Sequence, residues 1–517
     1  MKNLGKFLLL SAFMSAACMS YAQDTYDAQR WTNSDLNGTA RFVSMGGALG
    51  ALGGDLSVMS SNPAGTGLYR RSDIALTMSG VFGGKGAMDH DGSRVSFDQA
   101  GGILVFDFDG DFGALKNINI GVNYQKHRNF LFNQKTDLNL DGSSQTFQLA
   151  DMANKGLLDA GLYNSSASSH NKVDYNHFMG DAAYLATFES KNGCVLPTDV
   201  DDADNPVMEY GYYPYDGVPA KYGYHEKAEY GSNNQCDINI STNISDKLFL
   251  GMSFGVYDLD YSRESSYSEL GADNNDYEIL SSYNTSGDGY DVKFGAILRP
   301  IEDNPFRIGL AVHTPTYYRF TDSNYGEMYL NGNGVAYIDN EDFEYRYRTP
   351  WKFNASLGYT FGKFAAVGAE YEVSDLSTAK YSDFEDYGGL QYFKAINRAT
   401  KDMLATQHII RVGAEVKPTD DISLRAGYNF VSSPFKSGCY RSIDYDGVYT
   451  ETDYTNWKAI NRLTFGLGYK FKGGYFDVAY QLQLQKGDYY AFDDVYLKPT
   501  KINNNRSQVM ATLGFRF

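Results

Sequence analysis

From residue 73 to the C-terminus, apolar and polar residues alternate along the chain with a period of two. Phe476, Val478, Tyr480, Leu482 and Leu484 interleave with Asp477, Ala479, Gln481, Gln483 and Gln485. Ile422, Leu424, Ala426, Tyr428 and Phe430 do the same, as do Trp351, Phe353, Ala355, Leu357, Tyr359 and Phe361. Successive side chains of a β-strand point to opposite faces, so the pattern predicts strands with one apolar and one polar side. Fourteen such runs are present: 73–84, 101–109, 117–130, 232–244, 248–262, 289–299, 306–320, 345–361, 363–374, 405–417, 421–433, 459–472, 474–487 and 506–517.

Most of these runs reach the roughly 9–11 residues that a tilted strand needs to cross a bilayer, and an even count suits a bacterial barrel. The links between them alternate strictly in length. Short ones fall at 110–116, 245–247, 300–305, 362, 418–420 and 473, and long ones at 85–100, 131–231, 263–288, 321–344, 375–404, 434–458 and 488–505. Tight periplasmic turns and long external loops give a transmembrane barrel this asymmetry, whereas a soluble sandwich has no reason to keep it. The expected fold is all-β, a 14-stranded antiparallel β-barrel of the outer membrane over residues 73–517. At its end Val509, Ala511, Leu513, Phe515 and the terminal Phe517 share one face. That run resembles the sorting signal of proteins inserted by the barrel-assembly machinery.

The first residues follow a different rule. Lys2 and Lys6 precede an apolar run, Phe7 to Ala17, and Ser20-Tyr21-Ala22 fits a cleavage site, so 1–22 reads as a secretory signal peptide. No later stretch approaches the about 18 apolar residues of a membrane helix. A formal net charge of −18 argues against nucleic acid, which needs a basic face. Four Cys cannot make a disulfide scaffold of 517 residues. One bridge is compatible with an extracytoplasmic site, and Cys194–Cys236 would tie the longest loop to the next strand.

Residues 23–72 do not alternate. They carry two glycine-rich elements, Ser44-Met45-Gly46-Gly47-Ala48 and Asn62-Pro63-Ala64-Gly65. The stretch TARFVSMGGALGALGGDLSVMSSNPAG resembles the N-terminal signature of the FadL/TodX family of outer-membrane transporters. The GYDVKFGAILRP, RIGLAVHTP and TPWKFNASLGYTFG segments resemble that family as well. The resemblance implies a barrel plugged by an N-terminal hatch, here 23–72, with long-chain fatty acids or aromatic hydrocarbons as cargo. It also implies ligand capture by external loops and sideways release through a gap at the third strand, where Gly121 falls. Gly46, Gly47 and Gly65 would permit tight turns in the hatch, Asn62 can bond nearby backbone, and Pro63 fixes φ beside Ala64.

Two amphipathic helical patterns mark the 131–231 loop. Phe147, Ala150, Ala153 and Leu157 share one face, and Phe178, Ala182, Leu185 and Phe188 another, as candidates for a ligand-collecting groove or for a lid packed on itself. A Tyr-rich stretch follows, Tyr210 to Tyr224. Inward positions include Lys352, Arg411, Arg425, Glu370, Glu372 and Glu415; a fatty-acid carboxylate would favour one of the cations, unless they neutralise one another. Gly251-Met252-Ser253-Phe254-Gly255 matches a hydrolase elbow, but Leu250, Met252 and Phe254 continue one strand face through it, which an elbow does not allow. The acids Asp199 to Asp204 lack the glycine and closing glutamate of a calcium loop. No metal, cofactor or reaction is expected. The expected role is passive transport of a hydrophobic small molecule, with outer-membrane lipid and lipopolysaccharide as surroundings. The rivals are an interaction protein of the type IX secretion kind and an open porin.

Overall fold

Ladder hydrogen bonds in the computed structural model close one antiparallel sheet on itself. The structure describes residues 24–517 except 109–112, 141–142, 151, 153–194, 198–211, 215–219, 221, 271–275, 302, 331–332, 384–389, 442–449 and 495. Fourteen staves form the wall. They are β1 (Asp73–Phe82), β2 (Ser93–Asp107), β3 (Leu115–Asn129, continued by Phe132–Asn139), β4 (Tyr222–Ile244), β5 (Leu248–Leu270) and β6 (Asp276–Leu298). Next come β7 (Arg307–His313, then Tyr317–Leu330), β8 (Asn333–Arg348, then Lys352–Phe361) and β9 (Ala365–Asp375, then Lys380–Asp383). The rest are β10 (Thr406–Val416), β11 (Ile422–Val431), β12 (Tyr454–Phe471), β13 (Gly474–Tyr490) and β14 (Thr500–Asn503, then Arg506–Arg516). β14 pairs with β1, Arg516 opposite Asp73 and Ser507 opposite Phe82, so the sheet closes on itself. Closure is what a bilayer demands, because unpaired backbone groups are costly there.

The alternation fixes the two faces. Leu250, Met252, Phe254 and Val256 of β5 and Phe353, Leu357 and Phe361 of β8 point outward and stay exposed, while their polar neighbours are buried inside. β4, β5 and β6 each run for 23 residues, far more than a bilayer requires. Beyond Val256 the outward residues of β5 become Asp258, Asp260, Ser262 and Glu264. The wall therefore projects past the membrane as a hydrophilic cylinder. Most of 263–288 and 321–344, expected as loops, is strand. With water on the outside, apolar side chains such as Tyr277, Ile279 and Tyr283 turn inward there, so the outward apolar period is lost while the ladder persists.

Runs 306–320 and 345–361 are each interrupted, at Thr314–Thr316 and Thr349–Trp351, where Pro315 and Pro350 cannot donate to a ladder. Threonines repair the breach. Thr316 N donates to Thr349 Oγ1 at 2.7 Å, Thr349 N to Thr316 O at 3.0 Å, and Val292 N to Thr314 Oγ1 at 3.0 Å.

The segment before β1 packs against the inner wall. Helix α1 (Thr25–Thr32) is capped by Asp24, whose carboxylate accepts from Asp27 N at 2.8 Å. Helix α2 (Ala40–Ser44) is capped by Thr39, and one-turn helices follow at Leu56–Ser60 and Pro63–Leu68. Two wall patches lack side chains where this backbone touches. A Cβ on Gly413 would lie 2.2 Å from Met45 O, and one on Gly427 2.2 Å from Gly46 N. A Cβ on Gly251 would lie 2.4 Å from the Pro63 carbonyl carbon. The G-x-S-x-G match is thus a docking surface inside strand β5. Gly427→Ala should force Met45 and Gly46 off the wall, an overpacking cost of about 1–3 kcal/mol. Faster limited proteolysis within 24–72, at unchanged barrel assembly, is the expected result.

Candidate functional site

The described interior has an aromatic collar above a charged middle. In the collar Trp31 of α1 meets Tyr261 edge-on at 5.2 Å and Phe320 at 5.5 Å. Tyr347 OH donates to Ala28 O at 2.7 Å and Tyr381 OH to Asp24 O at 3.0 Å. Tyr26 lies against Phe435 and Tyr454, with centroids at 4.9 and 5.5 Å. This is the largest apolar cluster among the described residues, and α1 sits in it.

Below α1 the chain runs past a split in the wall. β2 and β3 pair from Asp107 opposite Asn117 up to Gln99 opposite Gln125, and no further among the described residues. Above that point Ser93 to Phe97 pair only with β1, and Lys126 to Asn129 only with β4. Asp98, an extra residue between Phe97 and Gln99, turns β2 away. Residues Asp35–Asn37 fill the opening. Asp35 N donates to His127 O at 2.9 Å, and Asn129 N donates back to Asp35 Oδ2 at 3.0 Å. Asn37 Nδ2 spans both lips, to Asp98 Oδ1 at 3.1 Å and Lys126 O at 3.2 Å. Val95 and Phe97 face outward beside it, 77% and 42% exposed, so the split borders lipid.

Asp35 is the charge centre of this closure. Its carboxylate meets Arg506 Nη2 at 2.9 Å and Arg462 Nη2 at 3.5 Å. Burial pushes its pKa up, but Arg506, Arg462 and Arg128 outweigh burial and hold the carboxyl below the usual carboxylate range. Two cavities of about 70 Å³ each flank it. Both fall short of the roughly 300–1,000 Å³ of a ligand pocket, so the described residues leave no ligand-sized space beside Asp35.

Of the residues singled out from sequence, Gly46 and Gly47 adopt left-handed φ of +63° and +80°. Asn62 Oδ1 accepts from Ala64 N at 3.2 Å, its Nδ2 donates to Gly50 O at 2.9 Å, and Pro63 opens the turn that continues through Gly65. Arg411 is held by Glu370 at 2.5 Å and Glu372 at 2.9 Å, and Arg425 by Glu415 at 2.6 Å and Asp477 at 2.5 Å. Lys352 has no ion-pair partner among the described residues and lines the cavity beside Asp35, together with His127, His313 and Lys293. Phe147 is exposed on a helical turn over 145–150. Leu157, Phe178, Leu185, Phe188 and Cys194 lie outside the described residues, while Cys236 sits on the outer face of β4 opposite Tyr124 and Val256. Asp35, Asn37 and Trp31 escaped sequence reasoning, since nothing in W-T-N-S-D-L-N sets them apart from an ordinary polar linker.

A Pseudomonas aeruginosa FadL homologue matches over 94% of this chain and 99% of its own, with a TM-score of 0.53 at 10% identity. This chain has the fold of that homologue. The toluene transporters TodX of P. putida and TbuX of Ralstonia pickettii also match, each at 12% identity over 93% of this chain and 99% of their own, with TM-scores of 0.46 and 0.48. No family model and no curated protein matches the chain.

Asp35→Asn should leave Arg462 and Arg506 without their shared carboxylate, costing about 3 kcal/mol. A depressed carboxyl pKa stabilises above the unfolded value and is lost as pH falls through the folded one. Trp31 emission should therefore hold steady at neutral pH and shift below about pH 4, towards the Asp35→Asn spectrum. The Asp35→Asn protein should lack this acid transition.

Proposed function

We propose that this barrel is a passive outer-membrane channel for hydrophobic compounds, with long-chain fatty acids as cargo and residues 23–72 as its hatch. The observation that carries the reading is the split between β2 and β3, plugged by Asp35–Asn37 and bordered outside by apolar side chains. An apolar molecule has no route through a polar lumen but a short one from the collar through that split into lipid. Trp31 and its aromatic neighbours form a surface that an acyl chain or hydrocarbon can take over from α1.

Occupation of the collar by ligand displaces α1. Only Asn33 and Ser34 separate α1 from Asp35, so moving the helix pulls the latch. Lys352 supports a carboxylate-bearing cargo, because it faces the cavity beside the latch without an ion pair among the described residues. In this reading Arg411 and Arg425 hold the wall, and Gly46, Gly47 and the Asn62–Gly65 turn anchor the hatch. Phe147, Leu157, Phe178, Leu185 and Phe188 serve capture at the surface.

Native mass spectrometry of gently purified protein tests the cargo. A co-purified fatty acid, absent from an unrelated barrel and weakened roughly tenfold in Lys352→Gln, is the expected result. A stoichiometric protein partner on an empty barrel would favour the secretion-type interaction reading instead. Uptake of labelled oleate should fall in Asn62→Ala at equal surface abundance; intact uptake would remove the role given to that turn.

A further inference from the structure

The outer wall of β7, β8 and β9 carries a basic surface on a chain of net charge −18. Strand register sets its members side by side on the outward face: Arg319 opposite Arg346, and Arg348 opposite Lys380. All four are exposed. Like charges directly opposite one another destabilise a sheet, so the Arg348–Lys380 pair calls for an external anion. Arg319 is balanced within the wall by Glu344 at 2.7 Å and lies opposite Asp288. Arg348 and Lys380 have no ion-pair partner among the described residues. Helix α3 (Leu390–Met403) lies along β9 with Phe393 and Ile396 turned into the aromatic collar. Asn397 fastens it along β9, donating to Tyr381 O at 2.9 Å and accepting from Tyr381 N at 2.8 Å, and Lys394 and Arg398 remain exposed.

The depth of this surface identifies its ligand. Tyr317 stands opposite both Tyr290, on which it stacks at 5.8 Å, and Arg348. Tyr290, Tyr317 and Trp351 are about half exposed and outward-facing, and Phe353, Leu357 and Phe361 continue the apolar belt below them. Aromatic residues at the edge of such a belt mark the headgroup level. The turn after Phe361 is short, so the basic surface stands at the opposite, long-loop end of the wall and faces the outer leaflet.

We propose that Arg348 and Lys380, flanked by Arg346, bind the phosphate groups of an outer-leaflet glycolipid, the lipid A portion of lipopolysaccharide. Guanidinium forks match phosphate oxygens, and the aromatic edge beneath receives the first carbons of the acyl chains. The site lies outside the lumen and is independent of what the barrel carries.

The test is native mass spectrometry of the full-length barrel in detergent, titrated with diphosphoryl lipid A, with dephosphorylated lipid A and with inorganic phosphate. Wild type should prefer diphosphoryl lipid A, and Arg348→Gln/Lys380→Gln should bind it at least about tenfold more weakly. Arg348→Lys/Lys380→Arg should retain binding. If the double variant fails to assemble, judged by heat-modifiable mobility, Lys380→Gln alone should show a loss of about fivefold. Equal binding by wild type and the neutralised variant would overturn the proposal. So would wild-type affinity that ignores removal of the lipid phosphates, or inorganic phosphate binding as tightly as the lipid.

Discussion

Every buried backbone amide and carbonyl needs a partner, and the segment before β1 has too little regular structure to supply its own. The wall supplies them. Ala40 N donates to Thr512 Oγ1 at 2.7 Å and Gly50 N to Glu370 Oε2 at 3.0 Å. Gln125 Nε2 donates to Asn37 O at 2.8 Å, Asn119 Nδ2 to Thr66 O at 2.7 Å, and His313 Nε2 lies 2.7 Å from Ser61 O. The polar inner face is therefore the complement of an irregular chain packed against it. That single requirement explains the Asn, Gln, Thr and Ser at inward positions such as Asn119, Gln125 and Thr512. It also explains why glycines stand where backbone meets backbone.

The same requirement makes the closure at the wall specific. Strands β2 and β3 part company where Asp98 bulges, leaving main-chain groups that a bilayer cannot satisfy. His127 O is met by Asp35 N, and Lys126 O by the Asn37 side chain. Asp35 then adds charge, anchoring to Arg462 on β12 and Arg506 on β14. Closure is thus spread over four staves and one carboxylate, and α1 holds it from above through the aromatic collar. Across the barrel, the proline breaks of β7 and β8 are sealed by threonine hydroxyls and need no help from the N-terminal segment.

Much of this was legible in the chain. Lipid on one side and polar partners on the other impose a period of two, so the fourteen staves and their closure could be read directly from runs such as 422–430 and 476–485. The upper halves of β5 and β6 could not. Ser265, Ser266 and Ser268 face water, wall or neighbours alike, so the sequence there looks like loop although the ladder continues. That Arg411 and Arg425 are neutralised by inward acids was one of the two readings the sequence left open, and strand register decides it by setting Glu370, Glu372, Glu415 and Asp477 beside them. Asp35 depends on contacts more than 400 residues away in sequence, and no local pattern announces it.

The account rests on the N-terminal segment keeping the lumen closed until it is displaced. Conductance across a planar bilayer measures this most directly, comparing the mature full-length barrel with a Gly413→Val/Gly427→Val variant that cannot seat Met45 and Gly46. The account predicts an electrically silent wild type and large, steady openings in the variant. Large, steady openings in the wild type would contradict it and make the protein an open porin.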